Sequence, residues 1–404
     1  MTPRHTFDTT AAADHCPFMP VFGPPALMIE RGEGTEVFSS DGTRYLDFLA
    51  GIAVVSLGHA HPAIADAIAD QARQLVHVSN FFANPVATAA ALDVNDLLHS
   101  ATGRHGQIFF TNSGAEANEC ALKLARRYSN GERHKVVTAL GSFHGRTLAT
   151  LAATGQPAKH APFAPLPDGF DHVPWGDVDA LAAAVDNTTA AVMLESIQGE
   201  GGVVPAPPGY LRAARALCDE VGALLMIDEV QTGFGRTGRW FGFEHSGVTP
   251  DVVTLAKAMG NGMPIGACWA PTEVAAAFRP GDHGSTYSGT ALATAAVVAV
   301  IAEMRRIDAP ATAERQGARL ASGLAALDGV REVRGAGLLL GAVLDDLASA
   351  DVVAAALNRG LIANAVAPDT IRFAPPLTVA DDEIDEAVAI IESAIADVAG
   401  AGAS

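Results

Sequence analysis

Through the middle of the chain, apolar residues fall in short unbroken runs, not on alternate positions. Residues 107–111, 135–140, 190–195, 223–228 and 251–256 all read this way. A strand that is apolar on consecutive positions is buried on both faces, as in a parallel sheet covered by helices. Between the runs the period changes to that of a helix, over Glu116–Tyr128 and from about Pro208 to Val221. Pro62 opens another helical pattern through Ala63, Ile64, Ala67, Ile68 and Leu75. The pattern predicts a large α/β domain over residues 62–300.

The flanks differ. Glu36–Phe38 and Arg44–Phe48, turning at Asp41–Gly42, predict a hairpin. Pro310 opens a helix to about Leu327, and Val330–Arg334, Leu338–Val343 and Ile371–Phe373 read as strands. Thr378 is placed to cap a last helix, with Asp381, Asp382 and Glu383 near its positive end. A smaller α+β domain over 301–404 is expected, completed by the segment 1–61. The apolar run Ala291–Ala302 is too short to span a bilayer and reads as a buried helix. The first twenty residues lack the apolar core of a signal peptide. No membrane partner and a cytoplasmic location are expected.

With 49% hydrophobic and 18% charged residues, the chain has the composition of a folded soluble protein. Its net charge of −19 argues against a nucleic-acid partner, which needs basic surface. Cys16, Cys120, Cys218 and Cys268 are widely spaced and read as free thiols. His59, His61, His144 and His283 do not form a spaced metal set, so no metal is expected.

Three neighbouring apolar strands end at or beside ionisable residues: Glu195, Asp228 and Lys257. In open α/β sheets, ligands bind outside the carboxyl ends of the strands. The alternative is an ion-pair cluster capping the sheet. Only four lysines occur, at 123, 135, 159 and 257, and Lys257 alone follows a buried-looking strand. Burial favours the neutral amine, which can form a Schiff base with an aldehyde. That is the need of a pyridoxal phosphate (PLP) enzyme. Asp228 would keep the cofactor's pyridine nitrogen protonated, and its depth calls for a cationic partner. Ser113, Gly114 and Ala115 lie between a strand and a helix, where small residues let backbone N–H groups approach a phosphate; a plain helix cap reads equally well. Gly233–Gly238 has the spacing of a dinucleotide fingerprint, but no helix pattern follows it.

The residues carry a resemblance. In order along nearly the whole chain stand YLDFLAGIAVVSLGHAHP, FFTNSGAEANECALKLAR, SFHGRT, ESIQGEGGVVP, LLMIDEVQTGFGRTG, PDVVTLAKAMGNGMPIGA, HGSTYSG and IRFAPPL. As a set they resemble the class III aminotransferases, the ornithine and 4-aminobutyrate aminotransferase group. GIAVVSLGHAHP, HVSNFF and HGSTYSG resemble the members acting on acetylornithine.

The resemblance implies PLP fold type I, like aspartate aminotransferase, in a homodimer with shared active sites. It implies ping-pong transfer of the terminal amino group of N2-acetyl-L-ornithine to 2-oxoglutarate, a step of arginine biosynthesis. Succinylornithine, ornithine or 4-aminobutyrate as donor, or a same-fold aminomutase, epimerase or decarboxylase, are the alternatives. It assigns Lys257 to the Schiff base, Asp228 to the pyridine nitrogen, Val230 and Phe143 to the ring faces and Gln231 to the ring hydroxyl. Glu195 joins the cofactor site. Ser113, Gly114 and Ala115 would hold the phosphate, and Thr286 would reach the phosphate of the partner subunit. Arg146 would take a substrate carboxylate and Ser285 would touch the substrate. Glu200 and Arg372 would form a switch, open for glutamate's second carboxylate and closed for acetylornithine. Three positions depart from the family pattern: Phe22 replaces a common Tyr beside the substrate, Ser196 a common Pro, and Thr290–Ala291 the usual Asn-Pro.

Overall fold

The computed structural model describes residues 18–22 and 25–402. Cys16 lies outside them, as do Gly23 and Pro24. Three N-terminal strands, β1 (Ile29–Glu33), β2 (Glu36–Ser39) and β3 (Arg44–Asp47), form an antiparallel meander. The expected hairpin is its second and third strands.

The central sheet has seven strands. Its first four in chain order are β4 (Gly106–Thr111), β5 (Lys135–Ala139), β6 (Phe170–Val173) and β7 (Thr189–Glu195). A short hairpin of β8 (Ile197–Gln198) and β9 (Val204–Pro205) then stands apart as its own two-stranded sheet. The central sheet resumes with β10 (Leu224–Asp228), β11 (Val252–Leu255) and β12 (Gly266–Pro271). The spatial order is β4-β12-β11-β10-β7-β5-β6. From β6 to β11 all neighbours are parallel, whereas β12 runs antiparallel to both β11 and β4.

Every residue of β7, β10 and β11 is buried, as expected of strands apolar on both faces. Their register puts Asp228 opposite Glu195 on one side and Thr254 on the other. The carboxyl ends of three strands are therefore level, and the chain reaches Lys257 two residues beyond β11.

A fourth sheet is built from β13 (Val330–Ala336), β14 (Leu339–Leu344), β16 (Asn364–Ala367) and β17 (Thr370–Phe373), in the order β13-β14-β17-β16. Between them β15 (Leu361–Ile362) joins β3 in parallel, so the C-terminal part of the chain extends the N-terminal meander.

The helix Ala291–Arg306 is largely buried, and Thr290 caps it by accepting from the Ala293 N–H at 3.3 Å. The Thr290–Ala291 departure thus keeps a capped helix start. The last helix begins at Asp381, three residues after Thr378. Thr378 sits in a turn and does not cap it; Glu383 instead accepts from the Ala380 N–H at 2.7 Å. No helix among the described residues is long and apolar enough to cross a membrane.

Candidate active site

A cavity of about 370 Å³ opens at the level carboxyl ends of β7, β10 and β11. Ser113, Gly114, Ala115, Phe143, Arg146, Glu195, Glu200, Asp228, Val230, Gln231 and Lys257 all line it.

Lys257 follows the strand on a turn with φ of 48°, a left-handed conformation unusual for a residue with a side chain. Its amine makes no hydrogen bond or ion pair with any described residue. Burial lowers it to about 8, against the pull of Glu200, which favours the charged form. An appreciable share of the amine is therefore neutral near neutral pH.

Asp228 is 5% exposed. Burying an unpartnered carboxylate costs several kcal/mol, more than the roughly 2 kcal/mol that burial of a neighbour such as Ile227 contributes. It is accordingly well partnered. One oxygen accepts from the Asn118 amide at 2.8 Å and faces His144 Nδ1 at 2.9 Å; the other accepts from the Val230 N–H at 3.0 Å. Asn118 also donates to the His144 backbone carbonyl at 2.7 Å, so one amide ties the carboxylate to the main chain that carries the imidazole.

Glu195 is buried beside Asp228 and accepts from the Phe143 N–H at 3.2 Å. Burial and then the charge of Asp228 hold its acid well above the usual range. Next in the chain, the Ser196 hydroxyl donates to buried Glu229 at 3.0 Å. Thr232 and the N–H groups of Gly242 and Phe243 complete that carboxylate's shell. Ser196 thus supplies a donor that proline in its place would lack.

The loop between β8 and β9 carries Glu200, which pairs with Arg372 of β17. Arg372 is 1% exposed and also donates to Asn364 at 2.8 Å, its cross-strand neighbour on β16, and to Gln231 at 3.4 Å. Burial works to raise the Glu200 acid, but the charge of Arg372 and its hydrogen bond prevail and hold it below the ordinary range. A methyl on Gly199 would sit 1.7 Å from the Gln231 amide oxygen, so only glycine lets that side chain lie there.

At the far wall, Ser113 caps the helix Gly114–Tyr128 by accepting from the Glu116 N–H at 3.2 Å. Ser113, Gly114 and Ala115 all line the cavity, so the capped helix start is also where an anion could approach. A Cβ on Gly114 would come 2.8 Å from a Val230 methyl.

Three expected residues lie elsewhere in the single chain. Phe22 is 88% exposed and does not line the cavity. Ser285 lines a separate cavity and is tied to this one through Asn112, whose amide donates to its hydroxyl at 3.2 Å. Thr286 is exposed on the same loop. Sequence reasoning missed Asn118, His144 as a partner of Asp228, and Asn364. The signal for Asn118 was present: it is a polar residue on the helix face shared with Ala117, Ala121 and Leu122, all buried.

These residues fit the PLP that the resemblance implies. A buried amine held below its ordinary range, a partnered carboxylate, the side chains of Phe143 and Val230 and a helix N-terminus line one space of suitable size. No group of three or more His, Cys, Asp or Glu side chains among the described residues is arranged to hold a metal ion.

The model for the family "Aminotransferase class-III" matches residues 20–395. The acetylornithine aminotransferase of Corynebacterium efficiens is 49% identical over 383 residues, covering 93% of this chain and 94% of that protein. That of Streptomyces coelicolor is 50% identical, covering 90% of each. Among solved structures, the ornithine aminotransferase of Toxoplasma gondii, with PLP in partial occupancy at its active site, superposes with a TM-score of 0.90 at 32% identity, over 98% of this chain and 96% of that one. N-acetylornithine aminotransferase from Stenotrophomonas maltophilia gives 0.82 at 36% identity, over 94% and 98%.

Proposed function

The chain belongs to the class III aminotransferases, and on that premise we propose that it moves the terminal amino group of N2-acetyl-L-ornithine to 2-oxoglutarate with PLP held on Lys257. The observation that carries the reading is the Glu200–Arg372 pair: Glu200 lines the cavity that also holds Lys257 and Asp228, and buried Arg372 stands behind it. One pocket that serves a mono- and a dicarboxylate in turn needs a cation that can be shown or hidden. Glu200 covers Arg372 when the acyl donor is bound, and gives it up to the second carboxylate of 2-oxoglutarate.

In this reading Lys257, Asp228, Gln231, Val230, Phe143, Glu195, Ser113, Gly114 and Ala115 hold the cofactor, which supplies an electron sink when bound. Lys257 Nζ is the base for the proton on the carbon bearing the amino group. Asp228, fixed by Asn118 and His144, keeps a negative charge at the floor of the cavity. Arg146 binds the substrate carboxylate.

The active unit is a homodimer, in which Thr286 and Ser285 serve the site of the second copy. Exposed Phe81, Phe82 and Tyr287 support that arrangement: Asn80, just before the two phenylalanines, lines one cavity with Ser285, and large apolar side chains exposed near that loop favour a covering surface. The division expected at residues 61/62 and 300/301 goes with this reading, as do a cytoplasmic location and a place in arginine biosynthesis.

The test is a panel of amino donors with 2-oxoglutarate, measuring the glutamate formed. Acetylornithine is expected to give the highest kcat/KM; a clear preference for ornithine or 4-aminobutyrate, or turnover without glutamate, overturns the substrate assignment. The switch has its own test. Arg372→Ala is expected to raise KM for 2-oxoglutarate about 100-fold, the scale of a lost charge-assisted pair, and to change the acetylornithine half-reaction far less. Single-turnover measurement of each half-reaction reads the two effects apart, and equal losses contradict the switch.

A further inference from the structure

Two cations stand over the ring of Phe143, which lines the cavity together with Arg146. The Arg146 guanidinium carbon lies 5.4 Å from the Phe143 ring centroid, and the Lys159 amine lies 5.5 Å from it. Neither cation makes a hydrogen bond or an ion pair with a described residue. That sets Lys159 apart from Lys123, which donates to the Asp282 carbonyl at 2.7 Å, and from Lys135, which pairs with Asp186 at 2.7 Å.

The position of Lys159 is built. Gln156 donates from its side chain to the Ser142 carbonyl at 3.0 Å, beside Phe143 in the chain, and the Gly155 N–H donates to the Ser142 hydroxyl at 2.9 Å. The short helix Pro157–His160 is further held by His160, whose Nε2 meets the Thr154 carbonyl at 2.6 Å. Burial and the nearby Arg146 charge push the Lys159 ammonium below its usual range, while Glu200 pulls it back. Glu200 is already engaged by Arg372. Two like charges held near each other with no anion between them repel, and a carboxylate placed between them turns that repulsion into attraction.

We propose that Lys159 is a second anchor, beside Arg146, for the substrate carboxylate farthest from the reacting amine. The proposal rests on the reading of this cavity as a transaminase site. It makes Lys159 a substrate-positioning residue shared by both half-reactions, since amino donor and 2-oxoglutarate each present a carboxylate to Arg146.

The test uses the holoenzyme, Lys159→Met and Lys159→Arg. Glutarate is the probe for binding by calorimetry, as a dicarboxylate with neither amine nor ketone. In Lys159→Met its Kd is expected to rise about fivefold, the scale of one partly exposed ion pair. KM for the amino donor and for 2-oxoglutarate should rise alike, with kcat within about twofold, because the lost contact is the same in ground and transition states. Lys159→Arg should restore both, and 1-aminopentane, which has no carboxylate, should react as it does with the wild type. Unchanged glutarate affinity overturns the proposal, and so does an equal loss with 1-aminopentane, the mark of a structural role. Should the wild type release no glutamate from any donor, the functional reading fails, while the glutarate titration still decides for or against Lys159.

Discussion

Lys257→Ala is expected to lower turnover by about 10⁴-fold or more and to remove the visible absorbance that PLP acquires on lysine. Two contributions vanish together: the nucleophile that holds the cofactor, and the base that moves the substrate's carbon-bound proton, itself worth roughly 10²–10⁴. The substitution also replaces a residue at φ of 48° with another that carries a Cβ, so the backbone strain is unchanged and the fold should persist. Glutamate release and the absorbance spectrum check the result; a variant that keeps both contradicts the assignment. The acidity of the amine adds a pH signature. With Lys257 near 8, capture of PLP by the cofactor-free chain should quicken about tenfold per pH unit below that value and level off above it. An ordinary lysine would keep gaining up to about 10.4.

Asp228→Asn is expected to lower kcat about 10³-fold while the protein still folds and binds cofactor. The amide oxygen can still accept from Asn118 and face His144. The amide nitrogen then confronts the Val230 N–H, where Asp228 now accepts at 3.0 Å, at a cost of about 1–2 kcal/mol of stability. Such a cost cannot account for a thousandfold loss in kcat measured well below the melting temperature. The larger effect comes from losing the negative charge that keeps the cofactor's ring nitrogen protonated. A cofactor analogue with a fixed positive charge on that nitrogen should recover most of the rate. A variant with unimpaired kcat, or one that the analogue does not help, contradicts the role of Asp228.

Much of this site was legible before any coordinates because its residues sit at the ends of strands with an unmistakable pattern. β7, β10 and β11 are apolar on both faces, and a charged residue closing each run had to be a loop residue or part of a site. The structure places Glu195 opposite Asp228 in register, with Lys257 just past the neighbouring strand. The strand β12 was not legible: Gly266–Pro271 begins with glycine and ends with proline, both poor strand residues. Its antiparallel direction is also invisible to a pattern shared by strands of either sense. β6 reads Phe-Asp-His-Val at the edge of the sheet, too short and polar to stand out. Thr378 misled because capping depends on backbone angles that composition does not reveal.

The support of Asp228 was hidden for a different reason. Its burial demanded a partner, and a cation was expected. The structure supplies an imidazole and an amide, from residues 84 and 110 positions away in the chain. Only the fold brings them together. Asn364 was missed in the same way, since its bond to Arg372 follows from the pairing of β16 with β17. Phe22, Ser285 and Thr286 lie outside the cavity of one chain, a placement that no local pattern specifies.

The scarcity of lysine makes the central claim open to a direct measurement. Protein saturated with PLP is reduced with borohydride, digested, and searched by mass spectrometry for the modified lysine. The account predicts one modification, on Lys257, and none on Lys123, Lys135 or Lys159. A modification on any of those three in place of Lys257, or a reduced protein that carries no cofactor at all, contradicts it.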